Sequence, residues 1–182
     1  MASGDEAPAG RFWPLVGGIL VADVATKYWA ERALVPMHVP HDVVGDVVRF
    51  TLLYNPGAAF GLHLGSASRW IFMALTLVAV VIITRMYRQT RAGDLPRTVA
   101  LAMILAGAIG NLIDRIRSDR GVVDFIDIGI GDARWPTFNV ADIGVSCGAL
   151  LLAWVLWRED RALAAAQASA PAPGGSSSPA AS

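Results

Sequence analysis

The sequence predicts an α-helical polytopic membrane protein: four transmembrane helices with a small β-sheet held above one face of the bilayer. Three observations carry this expectation. Of 182 residues, 54% are hydrophobic and 16% charged, where a soluble domain has about 25% charged residues. Four segments are apolar over lengths close to the roughly 20 residues that a span requires. Between the first two lies a β-branched run, Val43 to Leu53, that reads as one or two short strands.

The first apolar segment runs from about Phe12 to Leu34. Its leader, Met1 to Gly10, carries Asp5 and Glu6 instead of a basic region, and the segment itself contains Asp23 and Lys27. A retained helix is therefore expected in place of a cleaved signal peptide. The second segment, Trp70 to Thr84, is uncharged, bracketed by Arg69 and Arg85, and apolar on nearly every face. A helix in a soluble bundle needs a polar face, and this one has none. The third runs from about Thr98 to Ile113 and the fourth from about Phe138 to Trp157. The uncharged cores of the last three are short, which flanking arginines can offset by snorkelling. Trp13, Trp29, Trp70, Trp154 and Trp157 fall near the proposed ends, as an interfacial aromatic belt requires.

Three regions follow. Residues 1–11 form a cytoplasmic N-terminal segment, residues 12–158 the membrane domain with its outer loop at about 35–68, and residues 159–182 a disordered tail. Ala164 to Ser182 is rich in Ala, Pro, Gly and Ser, which disfavours a packed core.

Orientation follows from basic residues in short loops. The link between spans two and three carries Arg85, Arg88, Arg91 and Arg97 against Asp94 alone, so it is placed in the cytoplasm. Both termini then face the cytoplasm and the two longer loops face outward. Open sheet edges cannot face lipid, so the β-branched run should lie above the bilayer. Asn55-Pro56-Gly57 ends it with turn chemistry.

This topology gathers the intramembrane polar residues into one layer. Span three delivers Asn111, Asp114 and Arg115 to the outer face, span four begins there with Asn139 and Asp142, and Asp124 lies on the outer loop between them. Asp23 and Lys27 occupy the outer half of span one. A charge at membrane depth costs roughly 2.5–3.5 kcal/mol on insertion scales, so such residues usually line a site.

Asp124 and Asp142 are the candidate catalytic pair. Two adjacent carboxylates cannot both ionise cheaply, so one proton is shared: the ionised member activates water and the protonated one donates to a carbonyl. The bland alternative makes them a helix cap and a loop carboxylate paired with Arg115 or Arg120. Asn139 and Asp142 share a helix face, as do Asn111, Asp114 and Arg115, and a capping role alone would account for Asn139. Asp23 and Lys27 are spaced as an i,i+4 pair, for which a buried structural ion pair and a catalytic role both fit. Gly107 and Gly110 permit close helix packing.

Other classes fare worse. The formal net charge is zero, which leaves no electrostatic footprint for nucleic acid. Cys147 is the one cysteine, so neither an intrachain disulfide nor a cysteine metal cage can form. His38, His41 and His63 lack zinc-protease spacing, and Ser66, Ser68, Ser118 and Ser146 lack a nucleophile-elbow context. No metal or cofactor is expected.

At Asn55-Pro56-Gly57-Ala58-Ala59-Phe60-Gly61, Gly110-Asn111-Leu112-Ile113-Asp114-Arg115, Val122-Val123-Asp124-Phe125 and Phe138-Asn139-Val140-Ala141-Asp142, the sequence resembles the bacterial lipoprotein signal peptidases, the type II signal peptidases. Asp23 with Lys27 fits as well, and the resemblance covers roughly residues 12 to 158. It implies four transmembrane helices, an extracytoplasmic β-cradle and a short lid helix. It implies an aspartic endopeptidase of the bacterial inner membrane whose catalytic residues map onto Asp124 and Asp142. Asp23, Lys27, Asn55, Gly57, Asn111, Asp114, Arg115 and Asn139 match supporting positions. The implied substrate is a diacylglyceryl-modified prolipoprotein, cut on the amino side of its lipidated cysteine by an enzyme working as a monomer in contact with membrane lipid. Globomycin-like compounds are the implied inhibitors. Ile143 departs from the family, which often has a small hydroxyl residue there, and Gly61 stands where Ser is frequent.

Two rival readings use the same residues. A proton-coupled transporter or channel subunit would place ionisable groups at several depths, whereas span two and the inner halves of spans three and four have none. A non-catalytic membrane scaffold would need no carboxylate pair.

Overall fold

The protein is described by a computed structural model covering residues 9–57 and 67–169. In chain order it comprises α1 (Ala9–Ala33), β1 (His41–Val44), β2 (Val48–Asn55), α2 (Ser68–Arg88), α3 (Leu95–Arg117), β3 (Val122–Ile130), β4 (Ala133–Arg134) and α4 (Val140–Ser169). Three helices, α2, α3 and α4, are long and apolar enough to cross a membrane. The fourth, α1, has 25 residues but carries Arg11, Asp23, Lys27, Glu31 and Arg32.

Helix α3 is the axis of the bundle, packed against α1, α2 and α4. Its start is set by Asp94, whose side chain accepts from the backbone N–H of Arg97 at 3.2 Å, with proline in the first turn. Arg115 and Arg117 in its last turn complement the helix dipole. Phe12, Val16, Ile83, Tyr87, Leu101 and Leu105 form the bundle core, where the rings of Phe12 and Tyr87 stack with centroids 3.5 Å apart. By contrast α2 exposes Trp70, Leu75, Leu77, Val78, Val81 and Ile82. An apolar face of that extent without a protein partner suits lipid contact.

Helices α3 and α4 meet closely because small residues line the seam. A Cβ at Gly107 would stand 2.2 Å from the carbonyl oxygen of Ala141, and one at Gly148 2.8 Å from that of Ala100; at Gly110 it would meet the Asp23 carboxylate of α1 at 2.4 Å. Gly107→Ala should therefore force the helices apart and cost about 1–3 kcal/mol. Gly18→Ala in α1, where a Cβ meets nothing within 4 Å, should leave the thermal midpoint in detergent unchanged or raised. Equal midpoints for the two variants would contradict the tight seam.

The four strands form one antiparallel sheet in the order β1-β2-β3-β4. Leu53 pairs with Asp124, Tyr54 with Val123 and Asn55 with Val122. A second core of Ala30, Leu34, Leu52, Val123 and Phe125 seats the sheet on the end of α1. The edges of Trp29, Phe50 and Phe125 meet around it, with centroids 5.4 to 6.2 Å apart.

Four expectations need correction. Asp124 lies within strand β3 and not on a loop; Val122, Val123, Phe125, Ile126, Ile128 and Ile130 supply the β-branched and aromatic surface, and the aspartates at 124 and 127 interrupt its alternation in the sequence. The fourth helix begins at Val140, because the backbones of Phe138 and Ile126 bond as a β-bridge. The first begins at Ala9, within the segment 1–11 expected to precede it. Helix α4 also runs past 158 to Ser169, where Leu163 and a run of alanines, the best helix former, sustain it in place of the disordered start of the tail. Residues 170–182 and the motif residues Ala58, Ala59, Phe60 and Gly61 lie outside the described residues, and the lid helix has no counterpart among the described elements.

Candidate active site

The site is assembled at the N-terminus of α4. Asn139 precedes the helix, and its side-chain oxygen accepts from the backbone N–H of Asp142 at 2.9 Å. Asp142 returns the bond, its Oδ2 accepting from the backbone N–H of Asn139 at 3.2 Å. This reciprocal pair is a capping box made from Asn and Asp, and it fixes both side chains to one turn of backbone. The next free N–H of the helix, that of Ala141, is taken by Asp23 Oδ1 at 2.8 Å. The expected capping role of Asn139 is thus real, and it is not the residue's whole task.

The amide nitrogen of Asn139 reaches across to β3, donating to Asp124 Oδ1 at 2.7 Å and to the Val123 carbonyl at 3.2 Å. Asn55, at the end of β2, donates to the other oxygen of Asp124 at 3.1 Å. The chain can pass close to Asn55 only because residue 121 is glycine: its φ is +104° and a Cβ there would stand 2.1 Å from the Asn55 carbonyl oxygen. Asp124 is 3% exposed. Burial, and then the facing charge of Asp142, push its carboxyl up from the ordinary range to about 7, against the lowering effect of the two amide donors.

Asn111 ties this pair to a buried ion cluster. Its amide nitrogen donates to Asp142 Oδ1 at 2.8 Å, and its oxygen accepts from Lys27 Nζ at 3.0 Å. Lys27 in turn pairs with Asp23 at 2.8 Å and Asp114 at 2.9 Å. Asp114 Oδ2 accepts from the backbone N–H of Val123 at 3.2 Å, which anchors β3 beside Asp124. Lys27, Asp23 and Asp114 are 2%, 0% and 4% exposed, so two carboxylates and one ammonium share a dry site. Arg115 is the second cation here: it donates to the Gly57 carbonyl at 3.0 Å and back to that of Asn111 at 3.2 Å.

All ten residues singled out in the sequence therefore belong to one hydrogen-bonded assembly. Five of them, Asn55, Asn111, Arg115, Asp124 and Asp142, line a groove of about 1020 Å³. One wall is the start of α4 with Ile143, Ser146 and Cys147, and the other is the face of the sheet with Thr51, Asp127 and Arg134. Those last three were not anticipated, nor was Arg69, which donates to the carbonyls of Arg115 at 2.7 Å and Ile116 at 3.2 Å. The recurrence of Asp at 124 and 127 within one β-branched stretch is the signal that could have pointed to Asp127. Among the described residues, no group of three His, Cys, Asp or Glu side chains is arranged to hold a metal ion. Two carboxylates of unlike surroundings on one open groove are equipped for acid–base chemistry on a bound chain.

Comparison with known proteins bears on this arrangement. The family model described as signal peptidase (SPase) II matches residues 15–158. A lipoprotein signal peptidase of Syntrophus aciditrophicus is 38% identical over 150 residues, covering 81% of this chain and 92% of its own length. One of Hydrogenovibrio crunogenus is 43% identical over 136 residues, covering 74% and 77%. A solved structure titled as a bacterial membrane enzyme, determined by the in meso method, superposes with a TM-score of 0.77 at 26% identity, covering 87% of this chain and 94% of that one.

Proposed function

The chain belongs to the signal peptidase II family, and on that premise we propose that it removes signal peptides from prolipoproteins as an aspartic endopeptidase, with Asp124 and Asp142 as its catalytic pair. The observation that carries the assignment of these two is their unequal environment across one groove. Asp142 sits at a helix N-terminus and accepts two N–H bonds, one from Asn111 and one from the Asn139 backbone. Asp124 is buried in the sheet and holds its proton up to about neutral pH.

The chemistry follows from that difference. Asp142 takes a proton from a water molecule, whose oxygen attacks the carbonyl carbon of the scissile peptide, while Asp124 donates its proton to the carbonyl oxygen. Collapse of the tetrahedral intermediate breaks the C–N bond as the leaving amine collects a proton from Asp142 and a hydroxyl of the intermediate returns one to Asp124, which restores the pair. The products are a signal peptide ending in a carboxylate and a lipoprotein beginning with an amine. Asn139, Asn55 and Asn111 orient the carboxylates; Lys27, Asp23 and Asp114 hold Asn111 and β3 in place; Arg115 and Gly57 fix the turn after Asn55.

We take all four helices to span the bacterial inner membrane, with both termini cytoplasmic and the groove at the extracytoplasmic face. In α1 the charges of Asp23 and Lys27 neutralise each other inside the bundle, which makes a charged span tolerable. The exposed tryptophans 13, 29, 70, 154 and 157 suit lipid interfaces. The scissile bond then precedes a cysteine bearing a diacylglyceryl thioether, whose acyl chains would lie along Ile143, Ser146 and Cys147 in contact with lipid. A globomycin-like compound would inhibit by filling this groove, and the enzyme would act as a monomer. The transporter reading loses ground here, because the intramembrane ionisable groups gather in a single layer.

Purified protein in detergent should cleave a diacylglyceryl prolipoprotein before its lipidated cysteine, and should leave the unlipidated form uncut. Failure on correctly lipidated substrate would refute the assignment. Since Asp124 must keep its proton to act as the acid, kcat/KM should fall about tenfold per pH unit above 7. The same raised value makes Asp124 favour the folded state most at low pH. That contribution is lost as pH rises from about 4, where the unfolded carboxyl ionises, through 7. A rate that stays flat to pH 9 would exclude Asp124 as the acid.

A further inference from the structure

We propose that Arg134 forms a donor subsite that recognises oxygen-bearing residues in the mature part of the substrate, just beyond the lipidated cysteine; this rests on the peptidase reading above. Arg134 and Asp127 lie on the sheet wall of the groove, away from the network that holds the dyad. Asp127 is largely buried and has both oxygens occupied: Oδ1 pairs with Arg134 Nε at 2.6 Å and Oδ2 accepts from the Thr51 hydroxyl at 3.2 Å. It can offer little to a ligand. Arg134 is different. A guanidinium has five N–H donors, and the fold uses three of them, on Asp127 Oδ1, on the Asp127 carbonyl at 3.2 Å and on the Asp46 carbonyl at 2.9 Å. Two donors are left on a side chain already fixed in position and lining the groove. A held guanidinium with spare N–H groups and no free acceptor beside it selects for carbonyl, amide or carboxylate oxygen and against a cation.

The strand supplies a ruler. Asp127 lies three residues along β3 from Asp124, about 10 Å at a strand rise of about 3.3 Å per residue. An extended peptide beside β3 covers that distance in about three residues. The sheet must stand clear of the hydrocarbon, because its edges are open, so this end of the groove faces water. A signal peptide remains in the membrane, and the part of the substrate that moves toward water is the mature chain. The second and third residues after the cysteine therefore meet Arg134.

The test uses the full-length protein in detergent and diacylglyceryl prolipoproteins carrying Asn-Asn, Ala-Ala or Lys-Lys at those two positions. The wild type should show KM about tenfold lower for Asn-Asn than for Lys-Lys with kcat little changed, Ala-Ala falling between. Arg134→Gln should remove most of that spread, and Arg134→Lys, which keeps the charge and loses the fork, should retain only part of it. Equal KM values for all three substrates with the wild type would overturn the subsite and leave the peptidase assignment standing. Cleavage of none of them would overturn both. If Arg134→Gln slows all three substrates equally and lowers the thermal midpoint, Arg134 only braces the hairpin, and the subsite is again refuted. Should Arg134→Gln fail to fold, the wild-type series and Arg134→Lys still decide.

Discussion

Asp124→Asn and Asp142→Asn should each lower kcat at least about 10³-fold while the protein stays folded. Positioned acid–base groups typically contribute 10²–10⁴-fold, and in the proposed mechanism a single proton relay would depend on both members. An amide has nearly the shape of the carboxylate, so the expected loss is of chemistry and not of architecture. At position 124 the substitution removes a carboxyl that burial and Asp142 disfavour as an anion, but it also turns one acceptor into a donor facing Asn139 or Asn55, so the two effects oppose each other in stability. The measurement is single-turnover cleavage of a lipidated prolipoprotein, with the thermal midpoint of each variant recorded beside it. Normal processing by both variants would end the catalytic assignment; loss of activity together with unfolding would reduce the pair to a structural role.

Lys27→Met should have the largest effect on stability of any single change in the bundle. The substitution preserves length and apolar stem but leaves Asp23 and Asp114, both almost fully buried, facing each other without their shared cation. Removing one partner of a buried ion cluster costs about 3–5 kcal/mol. The Asn111 oxygen would lose its bond from Lys27 and keep only the longer one from Asn139, at 3.3 Å, which loosens its amide against Asp142, so activity should fall as well. Adding Asp114→Asn to Lys27→Met should recover part of the stability, since one carboxylate is then neutral. An unfolding free energy within about 1 kcal/mol of wild type for Lys27→Met would mean the cluster is hydrated and not dry.

Much of this was legible in the sequence, for reasons that differ by element. Span two declares itself because Trp70 to Thr84 has no polar face to hide. The hairpin of β1 and β2 follows from β-branched residues around Gly45. Strand β3 was harder: its pairing with β2 joins residues far apart in the chain, and Asp124 and Asp127 interrupt its apolar alternation. The two carboxylates proposed as the catalytic pair could be singled out from residue type and topology. What holds it could not, because a hydrogen bond from Asn139 to Asp124, or from Lys27 to Asn111, is a fact of three-dimensional approach. The Thr51–Asp127–Arg134 group was missed for the same reason; its members belong to three strands and share no spacing.

Asn139 spends its oxygen on starting α4 and its nitrogen on gripping β3. One amide thereby makes the hydrolytic centre conditional on assembly. Before the sheet has settled on the helices, Asp124 has no grip from α4, and Asp142 faces no partner across a groove. A half-inserted chain, lacking that contact, should therefore be inert toward its neighbours in the membrane.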